Sequence, residues 1–502
     1  MPNTKLAMPT LLAVDIGAES GRAVLGHLSE HHLTIQEVHR FPNKPVHVRG
    51  TLYWDILRLY DEVLTGLWRA ARVAEQPIES IGIDTWGVDF ALLDRQGQLL
   101  GNPVHYRDRR TEGMMDAVFQ RIPKEEIYQR TGIQFMPINT LYQLYALVVH
   151  HDPQLEQART FLTIPDLLHY WLTGEAVCEF TNATTTQCYD PRAGDWAREM
   201  LAQLGIPTSI FTEIRPPGTI LGVLEPAVAD ATGLTGAKVV LPAAHDTGSA
   251  VAAVPFSDPK AAYISSGTWS LVGVETPEPV INEQGLQHNF TNEGGVDGRF
   301  RLLKNVMGLW LLQECRRTWA AQGNDWSYEA LMQRVQDAPP FRSLIDPDDA
   351  RFLPPGDMPA RIQAFCQETG QPMPQSPGEM VRCILESLAL KYRRVIEWLE
   401  QVCGWQIPEV HIVGGGVQNR WLCQATANAT GRPVLAGPVE ATAVGNLLVQ
   451  AMGLGYLNGL DEAREQVRRA LPPTLYEPRE TAMWQEAYER YRSILAFCKS
   501  VC

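Results

Sequence analysis

Residues 11–28 read LLAVDIGAESGRAVLGHL: an apolar run that ends on Asp15, a turn bracketed by Gly17 and Gly21, and a second apolar run. Short runs of Val, Ile and Leu bounded by glycines read as strands, so this stretch predicts a β-hairpin with a carboxylate near its closed end. Outward from it, residues 56–73 carry apolar positions at helical spacing, and residues 80–94, SIGIDTWGVDFALLD, predict one further strand. Strand, turn, strand, helix, strand is a mixed α/β pattern. After the turn-forming cluster PFSDPK at 255–260, residues 261–275, AAYISSGTWSLVGVE, repeat the opening theme of strand, small-residue turn and strand. The echo predicts an internal duplication into two related domains.

The second half continues in the same style. Val381, Ile384, Leu385, Leu388, Val395 and Leu399 recur at helical spacing and predict a packed helix over 380–402. EVHIVGGG at 409–416 predicts a strand running into a glycine turn, followed by a helix over 419–430 and a short strand, PVLAG. A closing helix over 481–500 places Trp484, Tyr488, Tyr491, Ile494 and Leu495 as packing positions.

A chain of 502 residues exceeds what one hydrophobic core supports, so two large domains are expected. With 43 Lys and Arg against 57 Asp and Glu, the formal charge is -14, and no basic stripe is present for nucleic acid or an anionic membrane. No apolar stretch approaches the ~20 residues of a membrane helix, and the N-terminal apolar run meets Asp15 too early for a signal peptide. The expectation is a cytoplasmic protein, monomeric or a small homo-oligomer. Nine cysteines form no CxxC pair, which argues against zinc and against a secreted disulfide framework. Most read as buried thiols; Cys366 and Cys383 flank the loop QPMPQSP and are placed to bridge under oxidation.

Four small-residue turns and one strand end carry the chemistry. In VDIGAESGR, backbone amides around the glycines can point at phosphate oxygens, and Asp15 is placed to hold Mg²⁺ through water; an ordinary hairpin gives the same pattern. In LPAAHDTGSA at 241–250, Asp246 is a lone carboxylate between an apolar run and small residues that admit a substrate. A carboxylate there can orient an attacking hydroxyl and accept its proton, with His245 bonding a sugar; metal ligation by His245 and Asp246 is the other reading. In IDTWGVDF, Asp84 and Trp86 either bind hydroxyls and stack on a sugar face or form a core strand with a buried tryptophan. Ser266, Gly267 and Thr268 of YISSGTWS and the glycines of HIVGGG offer further amides and hydroxyls to phosphate. Neither a G-x-G-x-x-G fingerprint nor a Walker A lysine occurs, so nicotinamide and P-loop chemistry lose ground. Trp310 reads as core, and Lys304 and Asn305 as nearer a ligand.

With these motifs in this order, the chain resembles the FGGY carbohydrate kinases over roughly residues 10–455. The resemblance rests also on YRDRRT, GIQFMPINTLYQL, TNATTTQ, TNEGG, LKNVMGLWLLQ and AGPVEATAVGN. It implies an α/β fold of two actin/hexokinase-like, ribonuclease H-type domains with a cleft between them. Residues 1–255 would form an N-terminal sugar-binding domain, 256–465 a C-terminal nucleotide-binding domain and 466–502 a helical extension. IDTWGVDF, TNATTTQ and LKNVMGLWLLQ narrow the resemblance to the branch that phosphorylates L-rhamnulose at its 1-hydroxyl with ATP and Mg²⁺; L-fuculose or L-xylulose is the alternative ketose. The implied base is Asp246. The implied sugar contacts are Gly87, His245, Asp246, Thr247 and Asn305, to which the reading of IDTWGVDF adds Asp84 and Trp86. For ATP they are the phosphate loop Ala18, Glu19, Ser20, Gly21 and Arg22, with Thr268, Gln313 and Gly415, and Asp15 serves the metal. Glu19 departs from the family, whose loop carries Ser or another small residue there.

Overall fold

A computed structural model describes residues 9–29 and 32–501, with side chains through 497. The chain forms two compact α/β units that do not follow chain order. Residues 1–255, 275–302 and 440–472 cluster in one, and 256–274, 303–439 and 473–502 in the other.

The first unit is built on the opening hairpin. Thr10–Ile16 pairs antiparallel with Ser20–Leu28, which pairs with Leu33–Pro42; on its other side Thr10–Ile16 runs parallel to Ile78–Thr85, and then Lys238–Val240 and Ile220–Val223 complete a six-stranded sheet. Every residue of Thr10–Ile16 is buried, as expected for a central strand covered on both faces. The helix Ile56–Val73 has the bounds its periodicity predicts and buries Ile56, Leu59, Val63, Leu67 and Ala70 against the sheet.

The second unit repeats the scheme. Phe300–Met307, Trp269–Thr276 and Ala262–Ser266 lie side by side, followed by Val410–Val413 and Val434–Ala436, parallel to the last of them, and antiparallel Thr474–Tyr476. Both sheets place an antiparallel hairpin beside two parallel strands, and in the second Thr291–Gly294 adds an edge strand beyond Phe300–Met307. The helix Pro377–Cys403 spans this unit, opened by a Ser376–Glu379 capping box and closed by Gly404 in the left-handed region.

Two expectations change. SIGIDTWGVDFALLD is not one strand: Ile78–Thr85 ends, the chain bends through Trp86–Asp89 with Val88 at φ 67, and Phe90–Leu93 joins a separate ribbon with Thr160–Thr163. The bend is held by Thr140 and Gln143, whose side chains donate to the Val88 carbonyl. The opening glycines also serve differently from a turn requirement. Gly17 closes the hairpin through its amide to Ser20 O at 2.9 Å and has no positive φ, whereas Gly21 lies within the second strand, where a Cβ would stand 2.2 Å from the Phe41 ring. Cys366 and Cys383 are unbridged and buried. The side chains of Cys498 and Cys502 lie outside the described residues. Among the described residues no helix is long and apolar enough to cross a membrane.

Candidate active site

In the first unit, strand register brings three carboxylates together. Asp15 and Asp84 are direct partners on the parallel strands Thr10–Ile16 and Ile78–Thr85. Thr85 N then donates to Ala244 O at 2.9 Å, which draws the LPAAHDTGSA loop to the end of the same strand and sets Asp246 at the head of the helix Asp246–Ala252. Burial pushes the Asp84 carboxyl well above its usual range, and the Asp15 and Asp246 charges push it further. Its Oδ2 accepts from Asn446 Nδ2 at 2.5 Å, and its buried Oδ1 has no hydrogen-bond partner. Arg22 Nε and Nη2 both donate to Asp15 Oδ2, at 3.0 and 2.8 Å, and Arg22 also pairs with Glu440. Burial opposes the Arg22 charge, but Asp15 and Glu440 outweigh it.

Asp246 is reachable, with 28 % of its side chain exposed, and its Oδ1 accepts from Thr247 N at 2.6 Å and Thr247 Oγ1 at 3.1 Å. Burial raises its carboxyl above the usual value, His245 opposes this, and Asp15 adds to it. The loop is fixed from beneath by Glu179, which accepts from Thr181 Oγ1 (2.5 Å), Asn182 N (3.1 Å) and Ala244 N (3.0 Å). His245 N donates to Thr181 Oγ1 at 3.1 Å. The TNATTTQ motif is thus the floor of the Asp246 loop. Burial pushes Glu179 up to about 8, against the hydrogen bonds from Thr181 and Ala244 that favour its charged form.

His245 lies 3.5 Å from Asp246 Oδ1 through Nε2, and 3.2 Å from both Glu293 and Arg301 through Nδ1. Glu293 and Arg301 escaped the sequence reading as site residues. TNEGG marked the first only as part of a motif, and an arginine on a strand of mostly buried residues carries no local signal. Asn446 escaped for the same reason: it reads as one more residue of the helix Ala441–Gly453.

The indole of Trp86 is 5 % exposed, donates Nε1 to the buried Asp89 at 3.0 Å and packs on Trp54 with centroids 4.2 Å apart. The segment therefore presents Gly87 and the bend backbone rather than an indole face. A Cβ on Gly87 would stand 2.9 Å from Thr185 Oγ1, so that backbone lies tight on the TNATTTQ motif. In the phosphate loop Ala18 is half-buried, Glu19 and Ser20 are exposed and Gly21 is buried; Asn43 N holds the loop through Glu19 O at 2.9 Å.

In the second unit a separate group forms around the tip of the hairpin Ala262–Ser266/Trp269–Thr276. Gly267 O receives Leu309 N at 3.0 Å, and Thr268 O receives Gly308 N and Trp310 N at 3.2 and 3.1 Å. This fixes the start of the helix Trp310–Ala321, on which Gln313 Oε1 is buried without a hydrogen-bond partner. The glycines of HIVGGG divide their work. Gly416 lies so close to Ser266 that a Cβ would stand 2.0 Å from its Oγ, Gly414 takes φ 85, and Gly415 is exposed with open space where a Cβ would be. A 3₁₀ turn, Gly415–Gln418, separates this bend from the helix Arg420–Thr430, which begins within a residue of the expected 419. Lys304 is buried and Asn305 half-buried on Phe300–Met307, and Trp310 is core at 6 % exposure.

The chain belongs to the FGGY family of carbohydrate kinases: the family's N-terminal domain matches residues 10–253 and its C-terminal domain residues 262–454. Within it, the chain is 47% identical over 481 residues to a protein of Bacteroides thetaiotaomicron named rhamnulokinase, covering 96% of this chain and 98% of that one. It is 45% identical over 459 residues to one of the same name from Oceanobacillus iheyensis, covering 91% and 96%. The fold matches the crystal structure of gluconate kinase from Lactobacillus acidophilus with a TM-score of 0.80 at 18% identity, over 97% of each chain. The chain is a sugar kinase of this family, and family membership brings ATP use with a divalent metal.

Proposed function

We propose that this enzyme transfers the γ-phosphoryl group of ATP to the 1-hydroxyl of L-rhamnulose in L-rhamnose breakdown in the cytoplasm. The observation that carries the reading is Asp246: a reachable carboxylate, clamped by Thr247 and flanked by His245, in a chain aligned almost end to end with proteins named rhamnulokinase. Phosphoryl transfer asks the protein for positioning and charge rather than covalent chemistry, and a fixed carboxylate can take the hydroxyl proton as the oxygen attacks. In this reading Asp246 is the base. Gly87, His245, Thr247 and Asn305 hold the ketose, with Asp84 and Trp86 supporting that surface from below. The loop Ala18–Arg22, with Thr268, Gln313 and Gly415, takes the nucleotide, for which the unpartnered Gln313 Oε1 and the open space at Gly415 are suited.

The residues present fit magnesium. Asp15, paired with Arg22, stands beside a buried, unpartnered Asp84 Oδ1, and magnesium asks for only one or two carboxylates besides water and phosphate. Asp15 would hold the ion through water, and the ion would offset phosphate charge. Buried polar groups that demand hydroxyl partners can discriminate sugars ~10⁴-fold, whereas contact with the 6-methyl supplies only ~10- to 200-fold. Coupled ADP release across L-rhamnulose, L-fuculose, L-xylulose and D-xylulose tests the reading. The highest kcat/KM is expected for L-rhamnulose; a tenfold preference for another ketose, or ATP hydrolysis indifferent to sugar, would overturn it.

A further inference from the structure

We propose that Arg301 and Glu293 are positioning residues for the base: this buried pair grips the Nδ1 edge of His245, fixes the ring proton on Nε2, and presents that N–H to Asp246. The inference rests on the reading of Asp246 as base.

Arg301 has no exposed surface and Glu293 is 5 % exposed. A buried ion pair is no better for stability than apolar residues of the same volume, so its presence calls for another reason. The contacts supply one. Arg301 Nε donates to Gly294 O at 2.8 Å, while Nη2 stands 3.2 Å from Glu293 Oε2 and 3.2 Å from His245 Nδ1. A guanidinium only donates, so the hydrogen bond to Nδ1 requires a lone pair there. The hydrogen bond made by one ring nitrogen decides where the proton sits, and here it goes to Nε2.

Glu293 Oε2 also lies 3.2 Å from Nδ1 but makes no hydrogen bond of proper geometry, so it serves Arg301 as a counter-charge. Without Arg301 the balance reverses: Nδ1–H would donate to Glu293, and a bare Nε2 lone pair would face the Asp246 carboxylate. Both backbones are pinned by one motif. Thr181 Oγ1 accepts from His245 N at 3.1 Å, and Thr184 Oγ1 accepts from Gly294 N at 2.7 Å, so ring and pair are held to a common base. Thr247 N and Thr247 Oγ1 both donate to Asp246 Oδ1, and His245 Nε2 faces the same oxygen from 3.5 Å, which leaves Oδ2 to receive the proton.

The test is ¹H–¹⁵N correlation of the imidazoles in the full-length protein, with His245 assigned by its missing signals in His245→Gln, read beside steady-state kinetics. The wild type should show the Nε2–H tautomer and Arg301→Met the Nδ1–H tautomer. In Arg301→Met, kcat should fall about 100-fold, as for a misplaced catalytic group, with KM for ATP within about threefold. Arg301→Lys, which still donates to Nδ1, should recover part of kcat. Nδ1–H in the wild type, or an unchanged tautomer and kcat in folded Arg301→Met, would overturn the proposal. The wild-type spectrum, assigned with His245→Gln, decides even if the Arg301 variants fail to fold. A tautomer switch in a chain that phosphorylates no ketose would sink the kinase reading and leave the tautomer assignment standing.

Discussion

Asp246 combines two properties that seldom coincide: it is open enough for a ligand to reach, yet held by the amide and hydroxyl of Thr247. Asp246→Asn keeps shape and contacts but removes the proton acceptor. Turnover is expected to drop by about 10²- to 10⁴-fold while ATP and ketose still bind, as calorimetry would show. The sign of the pH response follows from the same residue. Burial raises its carboxyl above the usual value, and the base works only when ionised, so kcat should fall as pH drops through that raised value. The acid limb of the profile should lie above the ordinary carboxylate range and vanish in the residual activity of the Asn variant. A wild-type limb at an ordinary carboxylate position would deny Asp246 the role. At this scale the sequence disclosed the acid and the histidine, since His-Asp-Thr after an apolar run is a local pattern. It hid Arg301 and Asn446, whose importance comes from what lies across from them.

At the scale of elements, the helix Asp246–Ala252 is placed by its neighbour, Ala441–Gly453. They pack so closely that a Cβ on Gly445 would stand 1.7 Å from Ser249 O, a backbone atom that cannot swing aside. Gly445→Ala should therefore shift one helix. It is expected to cost roughly 1–3 kcal/mol in thermal or denaturant unfolding and to lower kcat through the displaced Asp246. Unchanged stability and turnover would show that the helices can part freely. The glycine was visible in AGPVEATAVGN, but periodicity cannot show which helical glycine faces another backbone. Likewise the bend that divides SIGIDTWGVDFALLD depends on Thr140 and Gln143, more than fifty residues onward, and so escaped an alternation pattern that counts only neighbours.

At the scale of the whole molecule, the sugar and nucleotide groups fall on different chain segments, and ligands should report on those segments separately. Hydrogen exchange is expected to slow at 84–88 and 244–249 on adding L-rhamnulose alone, and at 17–22, 266–268 and 414–416 on adding MgATP alone. Ligand bound to the native state suppresses local opening in proportion to its free energy, about 2.7 kcal/mol at a hundredfold excess over Kd. Protection of 414–416 by the sugar alone, or of 84–88 by nucleotide alone, would reverse the assignment of roles.

The sequence by itself determined the alternation of strands and helices, the duplicated hairpin theme and the local chemistry of Asp15, His245, Asp246 and Thr268. These are set by side-chain periodicity and by glycine spacing within about fifteen residues. Tertiary structure alone decided that Asp15 stands beside Asp84, that Asn446 bonds Asp84 across 362 positions of chain, and that Glu293 and Arg301 meet His245. It also decided that residues 275–302 and 440–472 join the first unit. The physical reason is that strand register and helix packing minimise buried unpaired charge over the whole core at once, and no local pattern encodes which distant residue supplies the partner.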